Sequence, residues 1–339
     1  MVTAPTQAPS QAGAPAKPET RLHYRAIAMV SFTVLLVIWI ELLGIPNDTV
    51  QVFLWLWVGT MAWNIEAPPR YHLNFLRDWW VPVALLVVYF YSRGLTDELG
   101  LPVHYTMPIR VDEWLFGGVL PTTWLQEAWC GNPCVKASEP GLHDLFFTTV
   151  YATHFLAGLT IAAVLWVRRR TEWMLWMRRL IAINFGALVV YILYPMAPPW
   201  MASEKGIITE ELPRLTGRGW RNVGLDRIDL ILNGVGNPVA AMPSLHAGMT
   251  FLIAMYAIWR LRTPWRWLLL LYPLAMSTAL VYYAEHYVVD ILAGALLAAM
   301  VMVGCAWWER RRTRRLVGPV GPIEPAGADL IPPSVAPTS

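Results

Sequence analysis

Long apolar runs separated by short polar segments occupy most of the chain between residues 26 and 308. Because a bilayer core about 30 Å thick needs roughly 20 mostly apolar helical residues, this pattern predicts up to eight membrane-spanning helices. Their expected bounds are 26–44, 49–65, 79–93, 144–167, 177–197, 243–260, 267–285 and 286–308. The second and third runs form either two spans or one re-entrant or interfacial pair, since Asn64 and Glu66 close the second and the third is short.

The two ends of the chain lack such runs. Residues 1–20 are rich in Ala, Pro, Thr and Gln, and the last twenty or so in Pro, Gly and Ala, which predicts disorder in both. The first apolar run is too long and begins too late for a cleaved signal peptide. The expected organisation is a tail (1–20), two N-terminal spans (21–78), a six-span core (79–308) with outer loops 94–143 and 198–242, and a basic, then Pro-rich tail (309–339).

Composition supports the same class of protein. Hydrophobic residues make up 56% of the chain and charged residues 14%, whereas soluble domains carry about 25% charged residues. The 19 tryptophans suit the membrane interface, and a net charge of +3 spread along the chain gives no reason to expect a nucleic-acid partner. The predicted fold class is therefore an all-α, polytopic helical membrane protein.

The distribution of basic residues predicts the orientation. With eight spans and the N-terminus inside, 18 of the 26 basic residues fall on the cytoplasmic side, as short cytoplasmic loops require. We expect an integral plasma (inner) membrane protein with both termini cytoplasmic. Cys130 and Cys134 then lie in an outer loop, where an oxidising compartment permits a disulfide across the Gly-Asn-Pro turn. Two free thiols are the alternative.

Ionisable residues inside predicted spans are the first candidates for chemistry, because burying them in a membrane is costly. His286 and Asp290 lie four residues apart, on one face of the last predicted helix. A carboxylate there can accept the imidazole Nδ1–H and leave the other ring nitrogen as a nucleophile or base. The alternative is a buried pair that only joins helices.

A second histidine stands at the start of the sixth predicted span. Pro243 suits the first turn of a helix, whose free N–H groups attract anions, and Ser244 adds a hydroxyl donor. His246 follows about one turn into the helix, where it could protonate a leaving oxygen. His246, His286 and Asp290 all fall at the outer face, and their spacing fits either a nucleophilic site or a metal site.

These segments resemble the signature motifs of the type 2 phosphatidic acid phosphatase superfamily. AAMPSLHAG (240–248), EHYVVDILAG (285–294) and YPMAPPW (194–200) are similar to its inositol phosphorylceramide synthase-like branch, which has PSLH where the phosphatases have PSGH. The resemblance covers about residues 145–300. Further segments similar to bacterial members are VDEWLFGG (111–118), PTTWLQ (121–126) and YATHF (151–155).

The resemblance implies a six-helix phosphatase-type core, preceded here by about two extra spans, that transfers phosphate through a phosphohistidine without metal or cofactor. His286 would be the nucleophile, Asp290 its orienting carboxylate and His246 the acid, while Ser244 would bind the phosphate. Tyr194, in the YPMAPPW segment, would contact the substrate. His154, in a predicted span, is either a second substrate contact or a helix–helix contact.

One departure from the family pattern concerns the phosphate clamp. The phosphatases have an Arg six residues before the nucleophilic His, where this chain has Leu280. We expect one or two loop arginines to replace it, because a guanidinium binds phosphate oxygens bidentately. Solvated loop arginines are the alternative interpretation. The candidates are Arg214, Arg218, Arg221 and Arg227, with Arg218 and Arg221 favoured.

These observations favour an integral membrane phosphotransferase or phosphatase that acts on a lipid phosphate or phospholipid at the outer face. Head-group transfer to an inositol or sugar hydroxyl is favoured over hydrolysis because the motifs resemble the synthase branch. A non-catalytic transporter or scaffold that retains the helices is the alternative from another class. A metalloenzyme is the third hypothesis.

Overall fold

The computed structural model describes residues 18–44, 46, 49–95, 100–223, 237 and 239–317. Most of both predicted tails, and Arg227, therefore lie outside the described residues. In the described part the regular structure is helical, and β-structure is confined to isolated bridges between loops. This confirms the all-α, polytopic fold class.

Eleven α-helices and two 3-10 helices follow one another along the described residues. They are α1 (Pro18–Leu43), α2 (Thr49–Trp63), α3 (Pro69–Leu95), α4 (Thr106–Leu115), α5 (Pro121–Trp129), α6 (Leu142–Arg168), α7 (Arg170–Leu193), α8 (Pro199–Glu204), a 3-10 helix Arg218–Val223, α9 (Leu245–Arg260), a 3-10 helix Pro264–Leu270, α10 (Leu271–Tyr282) and α11 (Val288–Val317).

Five helices in the described part are long and apolar enough to cross a membrane. They are Leu22–Leu43, Pro69–Gly94, Leu142–Arg168, Arg170–Leu193 and Val288–Arg315. The apolar helices α2, α9 and α10 are shorter, at 15, 16 and 12 residues. The run predicted at 267–285 is thus divided between a 3-10 helix and α10, which ends at Tyr282.

The prediction of a short third span was wrong. Helix α3 has 27 residues, so it begins well before the apolar run at 79–93. Its polar first half is stabilised by α6 and by the start of α7. Asp78 accepts a hydrogen bond from Trp166 Nε1 at 3.1 Å and forms an ion pair with Arg170. Polar residues ended the hydrophobic pattern there without ending the helix.

Two glycines let α9 and α11 approach closely. A Cβ on Gly294 would lie 2.3 Å from the carbonyl oxygen of Ser244, and one on Gly248 would lie 3.1 Å from the carbonyl oxygen of Gly294. The main chains also bond directly, since the Ser244 N–H donates to the Asp290 carbonyl at 3.0 Å. Small residues permit such contacts between membrane helices, and here they place the two motif helices side by side.

Several segments between the helices are tied to one another. Isolated bridges join His104 to Met196 and Met196 to Ala240, and Cys130 and Cys134 form the predicted disulfide. The described residues divide into two units between residues 302 and 303. In the second unit α11 continues to Val317. The arginine-rich segment after residue 308, which opens the predicted tail, is thus helical as far as Val317.

Candidate active site at the histidine cluster

His286 lies in a turn just before α11. The expectation that His286 and Asp290 share a helical face was wrong, because α11 begins only at Val288. Helix α10 ends at Tyr282, and buried Ala284 has a φ of 59°, an uncommon value for a residue other than glycine. The N–H groups of Glu285 and His286 donate to the Leu280 carbonyl at 3.0 and 3.3 Å. This tight turn fixes the main chain of His286.

The pairing of His286 with Asp290 is retained despite the different backbone. His286 Nδ1 lies 3.4 Å from Asp290 Oδ2, which is long for a hydrogen bond. The same carboxylate oxygen accepts the Tyr287 N–H at 2.9 Å. His286 is 6% exposed and Asp290 fully buried. Asp290 Oδ2 therefore lies beside Nδ1 of the buried His286 ring.

Ser244 caps α9, and His246 lies in its first turn. The Ser244 Oγ accepts the Ala247 N–H at 3.3 Å, as an N-cap does. The carbonyl of Pro243 accepts the hydroxyl of Tyr191, on α7, at 2.9 Å. His246 therefore stands nearer the helix start than predicted. Its ring centroid is 5.9 Å from that of His286.

Helix α6 supplies the other contacts of His246. The Tyr151 ring stacks on it with centroids 4.8 Å apart, and the His154 ring lies at 4.2 Å. Tyr151 and His154 are one turn apart, so both face α9. His246 Nε2 is buried and has no hydrogen-bond partner among the described residues. His154 thus meets a histidine of the site, and the structure brings His154, Ser244, His246, His286 and Asp290 together.

The structure does not bring the two favoured arginines to this cluster. Arg218 is 1% exposed and donates to Cys130 Sγ at 2.8 Å and to Ser138 Oγ at 2.9 Å. Arg221 donates to the Lys136 carbonyl at 2.9 Å. The cause is the packing of the 3-10 helix against α6, where a Cβ on Gly219 would lie 2.2 Å from the Asp144 main chain. Both guanidinium groups face the disulfide loop.

Among the candidate loop arginines that the structure describes, Arg214 contacts the turn that carries His286. Its Nε donates to Glu285 Oε1 at 2.6 Å, and Thr216 hydrogen-bonds the same oxygen. The guanidinium lies 5.3 Å from the ring centroid of Trp200. Glu285 immediately precedes His286 in the chain. Of the loop arginines proposed from the sequence, Arg214 is thus adjacent to the candidate nucleophile.

Arg93 is a charged residue that the sequence analysis missed. It lies near the end of α3, and its carbonyl accepts the Asn237 side-chain N–H at 2.9 Å. Its charge acts electrostatically on His154, His246 and His286. The only sequence signal is an arginine at the end of an apolar run.

Asp112 is a buried carboxylate whose contact with the site the sequence did not show. It belongs to α4 and accepts the N–H groups of Val288 and Val289 at 2.7 and 3.0 Å. Burial raises the pKa of the Asp112 carboxyl, and these two hydrogen bonds oppose the rise. In the sequence, the segment VDEWLFGG (111–118) stands out by its family resemblance. No local pattern indicates a partner 176 positions away.

Tyr194 and Leu280, which the family resemblance singled out, contact other side chains than those of the histidine cluster. The Tyr194 ring stacks on His104 with centroids 3.9 Å apart and an interplanar angle of 7°. Leu280, at the position of the phosphatase arginine, is fully buried in an apolar cluster with Met276 and Tyr283. Within the described ranges, no group of three or more His, Cys, Asp or Glu side chains is arranged to hold a metal ion.

Comparison with known proteins adds a family match. A family model described as the PAP2 superfamily matches residues 126–304, a range that contains Ser244, His246, His286 and Asp290. The chain is 28% identical over 178 residues to the inositol phosphorylceramide synthase catalytic subunit aur1 of Schizosaccharomyces pombe, covering 50% of this chain and 41% of that protein.

A second curated relative has a similar printed name. The chain is 27% identical over 128 residues to the inositol phosphorylceramide synthase of Candida albicans, covering 35% of this chain and 26% of that protein. The chain thus spans less than half the length of these two relatives. No solved structure matches the chain significantly.

Proposed function

The chain belongs to the PAP2 superfamily, and from this premise we propose that it is an integral membrane enzyme that transfers or hydrolyses the phosphate-bearing head group of a lipid. The observation that carries the proposal is the pair of histidines at two adjacent helix starts. Their ring centroids are 5.9 Å apart, and a buried carboxylate lies beside one of them. The names of the two synthases support transfer as the reaction class.

The proposed reaction has two displacement steps. His286 Nε2 attacks phosphorus, the bond from phosphorus to the leaving oxygen breaks, and protonated His246 Nε2 donates its proton to that oxygen. The oxygen of an acceptor hydroxyl or of water then attacks the phosphohistidine, and the phosphorus–nitrogen bond breaks. His246 takes the proton that the attacking oxygen loses. Such covalent catalysis divides one difficult displacement into two easier ones. Asp290 stabilises the imidazolium character that develops on His286.

Fixed donors and cations surround the proposed phosphate position. At the start of α9 the N–H groups of Ser244 and Ala247 are already bonded, so the donor proposed there is the Ser244 hydroxyl, which keeps its proton while its oxygen caps the helix. Arg214 and Arg93 provide positive charge near the histidines. Donors held in place before the reaction stabilise the charge that develops in the transition state.

The charge balance favours a phosphodiester over a phosphomonoester. Leu280 occupies the position of the phosphatase arginine, and Glu285 offsets the charge of Arg214 beside His286. Arg218 and Arg221 are committed to the disulfide loop. A diester carries one negative charge, whereas a monoester carries nearly two at neutral pH. Head-group transfer from a phospholipid to an inositol or sugar hydroxyl is therefore the favoured reaction.

The proposed orientation places the site at the outer face of the plasma membrane, with both termini cytoplasmic. The basic residues of the short loops support this orientation. Lipid tails would remain in the bilayer while the head group reaches the histidine cluster from the side of the outer loops.

The deciding experiment measures head-group exchange and phosphate release by the purified protein in detergent, with chelator present. The panel contains phosphatidylinositol, phosphatidic acid and prenyl phosphates, each with and without free inositol. His286→Ala is compared with wild type and with His23→Ala, a control in an exposed part of α1.

We expect turnover by wild type and His23→Ala, its loss in His286→Ala, and an acid-labile phosphoenzyme from radiolabelled lipid. Turnover that needs metal, or that survives in His286→Ala, would overturn the phosphohistidine mechanism. No turnover of any lipid would favour the scaffold hypothesis.

A further inference from the structure

Helix α11 begins under two carboxylates that come from different parts of the chain. Asp290, in its first turn, accepts the Tyr287 N–H at 2.9 Å. Asp112, from α4, accepts the next two N–H groups, those of Val288 and Val289, at 2.7 and 3.0 Å. Three consecutive donors that a helix start normally leaves open are thus occupied. A substrate phosphate cannot use them.

The burial of Asp112 makes this contact specific. The residue is 1% exposed, and a buried carboxylate is unfavourable unless hydrogen bonds compensate for its lost hydration. Its own helix does not use the side chain, since it is the Asp112 carbonyl that accepts the Phe116 N–H at 3.0 Å. A negative charge at the start of α11 also interacts favourably with the helix dipole.

Apolar packing holds α4, the helix that carries Asp112, in place. Tyr105, Met107 and Ile109, at the start of α4, pack in one cluster with Ala284 and Tyr287. These two residues flank Glu285 and His286 in the turn. Helix α4 therefore contacts the region of the turn through apolar side chains and through the Asp112 carboxylate.

We propose that Asp112 is a positioning residue for His286, whose carboxylate clamps the start of α11 and so fixes the turn that carries the nucleophile. The inference rests on the proposed function only in taking His286 as the nucleophile. The clamp itself is a property of the fold. Asp112 touches no reacting atom and acts through the main chain of residues 287–289.

The test compares Asp112→Ala and Asp112→Asn with Glu113→Gln, which removes the neighbouring carboxylate, in detergent-purified full-length protein. Residue-resolved hydrogen–deuterium exchange follows the Val288 and Val289 amides, and kcat and KM are measured on the lipid that wild type turns over. In Asp112→Ala we expect exchange at both amides to quicken about tenfold, as loss of a cap does.

For the same variant we expect kcat to fall about 10- to 100-fold with KM within about threefold, because a small displacement of a reacting group affects chemistry more than binding. Asp112→Asn keeps one acceptor oxygen and should recover part of both effects. Glu113→Gln should match wild type. Asparagine is nearly isosteric, so this variant decides the matter if Asp112→Ala does not fold.

Unchanged exchange at Val288 and Val289 in both Asp112 variants would overturn the clamp. Faster exchange with unchanged kcat would overturn the positioning role. If wild type turned over no lipid, the proposed function would fail, whereas the exchange data would still decide the clamp.

Discussion

Two buried polar clusters lie at helix ends, and they differ in how completely their groups are paired. In the cap cluster, defined as Cys130, Cys134, Asp144, Arg218 and Tyr282, the Asp144 carboxylate accepts the Tyr282 hydroxyl at 2.9 Å and lies 3.7 Å from Arg218 Nε. Arg218 also donates to the disulfide and to Ser138. Asp144 and Arg218 balance each other's charge, and the one buried polar atom of this cluster without a hydrogen bond in the described part of the chain is Arg218 Nε, which faces Asp144.

The histidine cluster, defined as His154, His246, His286 and Asp290, is incompletely paired. His154 Nδ1, His246 Nε2 and Asp290 Oδ1 are buried without a hydrogen-bond partner in the described part of the chain. Because buried polar groups are normally paired, three unpaired atoms on neighbouring residues favour a role for this cluster in binding a ligand. We propose that the cap cluster contributes mainly to stability and the histidine cluster to chemistry.

The largest effect should follow from removing the two candidate catalytic histidines, because the comparison predicts lost activity without lost stability. We expect His286→Ala to lower kcat at least about 10³-fold on every substrate, since no nucleophile remains. His246→Ala should lose about 10²- to 10⁴-fold on a natural lipid, the range of general acid catalysis.

A leaving group separates the two roles. p-Nitrophenolate can leave a phosphodiester without being protonated. A p-nitrophenyl phosphodiester should therefore restore most of the activity of His246→Ala and none of that of His286→Ala. Kinetics with both substrates check this, with the midpoint of thermal unfolding as the fold control. Equal losses on both substrates would contradict the assignment of His246 as the acid.

Arg218→Gln should have the opposite signature. It leaves Asp144 as a buried charge without its partner, and removal of one member of a buried pair lowers the free energy of unfolding by about 3–5 kcal/mol. Arg221→Gln, a less buried loop residue, should change it by about 0.5 kcal/mol or less. Denaturation in detergent measures both.

The KM of these two variants carries the second half of this test. If Arg218→Gln folded as stably as wild type but raised KM strongly, the guanidinium would be a phosphate ligand after all.

Gly294→Ala tests the close approach that holds the histidine cluster together. The added methyl would lie 2.3 Å from the Ser244 carbonyl oxygen, so α9 and α11 must separate. We expect a loss of about 1–3 kcal/mol, as overpacking causes, together with reduced kcat. Gly304→Ala, on the same helix with open space around it, should be nearly neutral. Equal unfolding midpoints for the two variants would contradict the contact.

The smallest expected effect comes from opening the disulfide of the cap cluster. Cys130 and Cys134 are four positions apart, and a loop so short restricts the unfolded chain little, so Cys134→Ser should lower the free energy of unfolding by about 2 kcal/mol or less. Turnover below the unfolding midpoint should be unchanged. A large loss of turnover in folded Cys134→Ser would show that the two clusters are coupled.

Several elements of the site follow from local sequence. Ser244 caps α9 and precedes His246 as its motif predicts, and Asp290 faces His286 although the intervening backbone is not the expected helix. The lengths of α3 and α10 could not be predicted from the local sequence. Charged residues of α3 are stabilised by distant partners such as Arg170, and the end of α10 is set by a turn at Ala284.

The sequence by itself determined the membrane class, the helical fold and the residues of the candidate chemistry. Apolar runs, caps and motif spacings act over a few residues or against the bilayer, so they can be recognised without knowing the rest of the chain. Only the tertiary structure decided that Arg218 faces the disulfide, that Arg214 and Arg93 lie near the histidines, and that Asp112 clamps α11. These partners are separated by tens to hundreds of residues, and long side chains in loops pair with whichever groups the folded helices bring within reach.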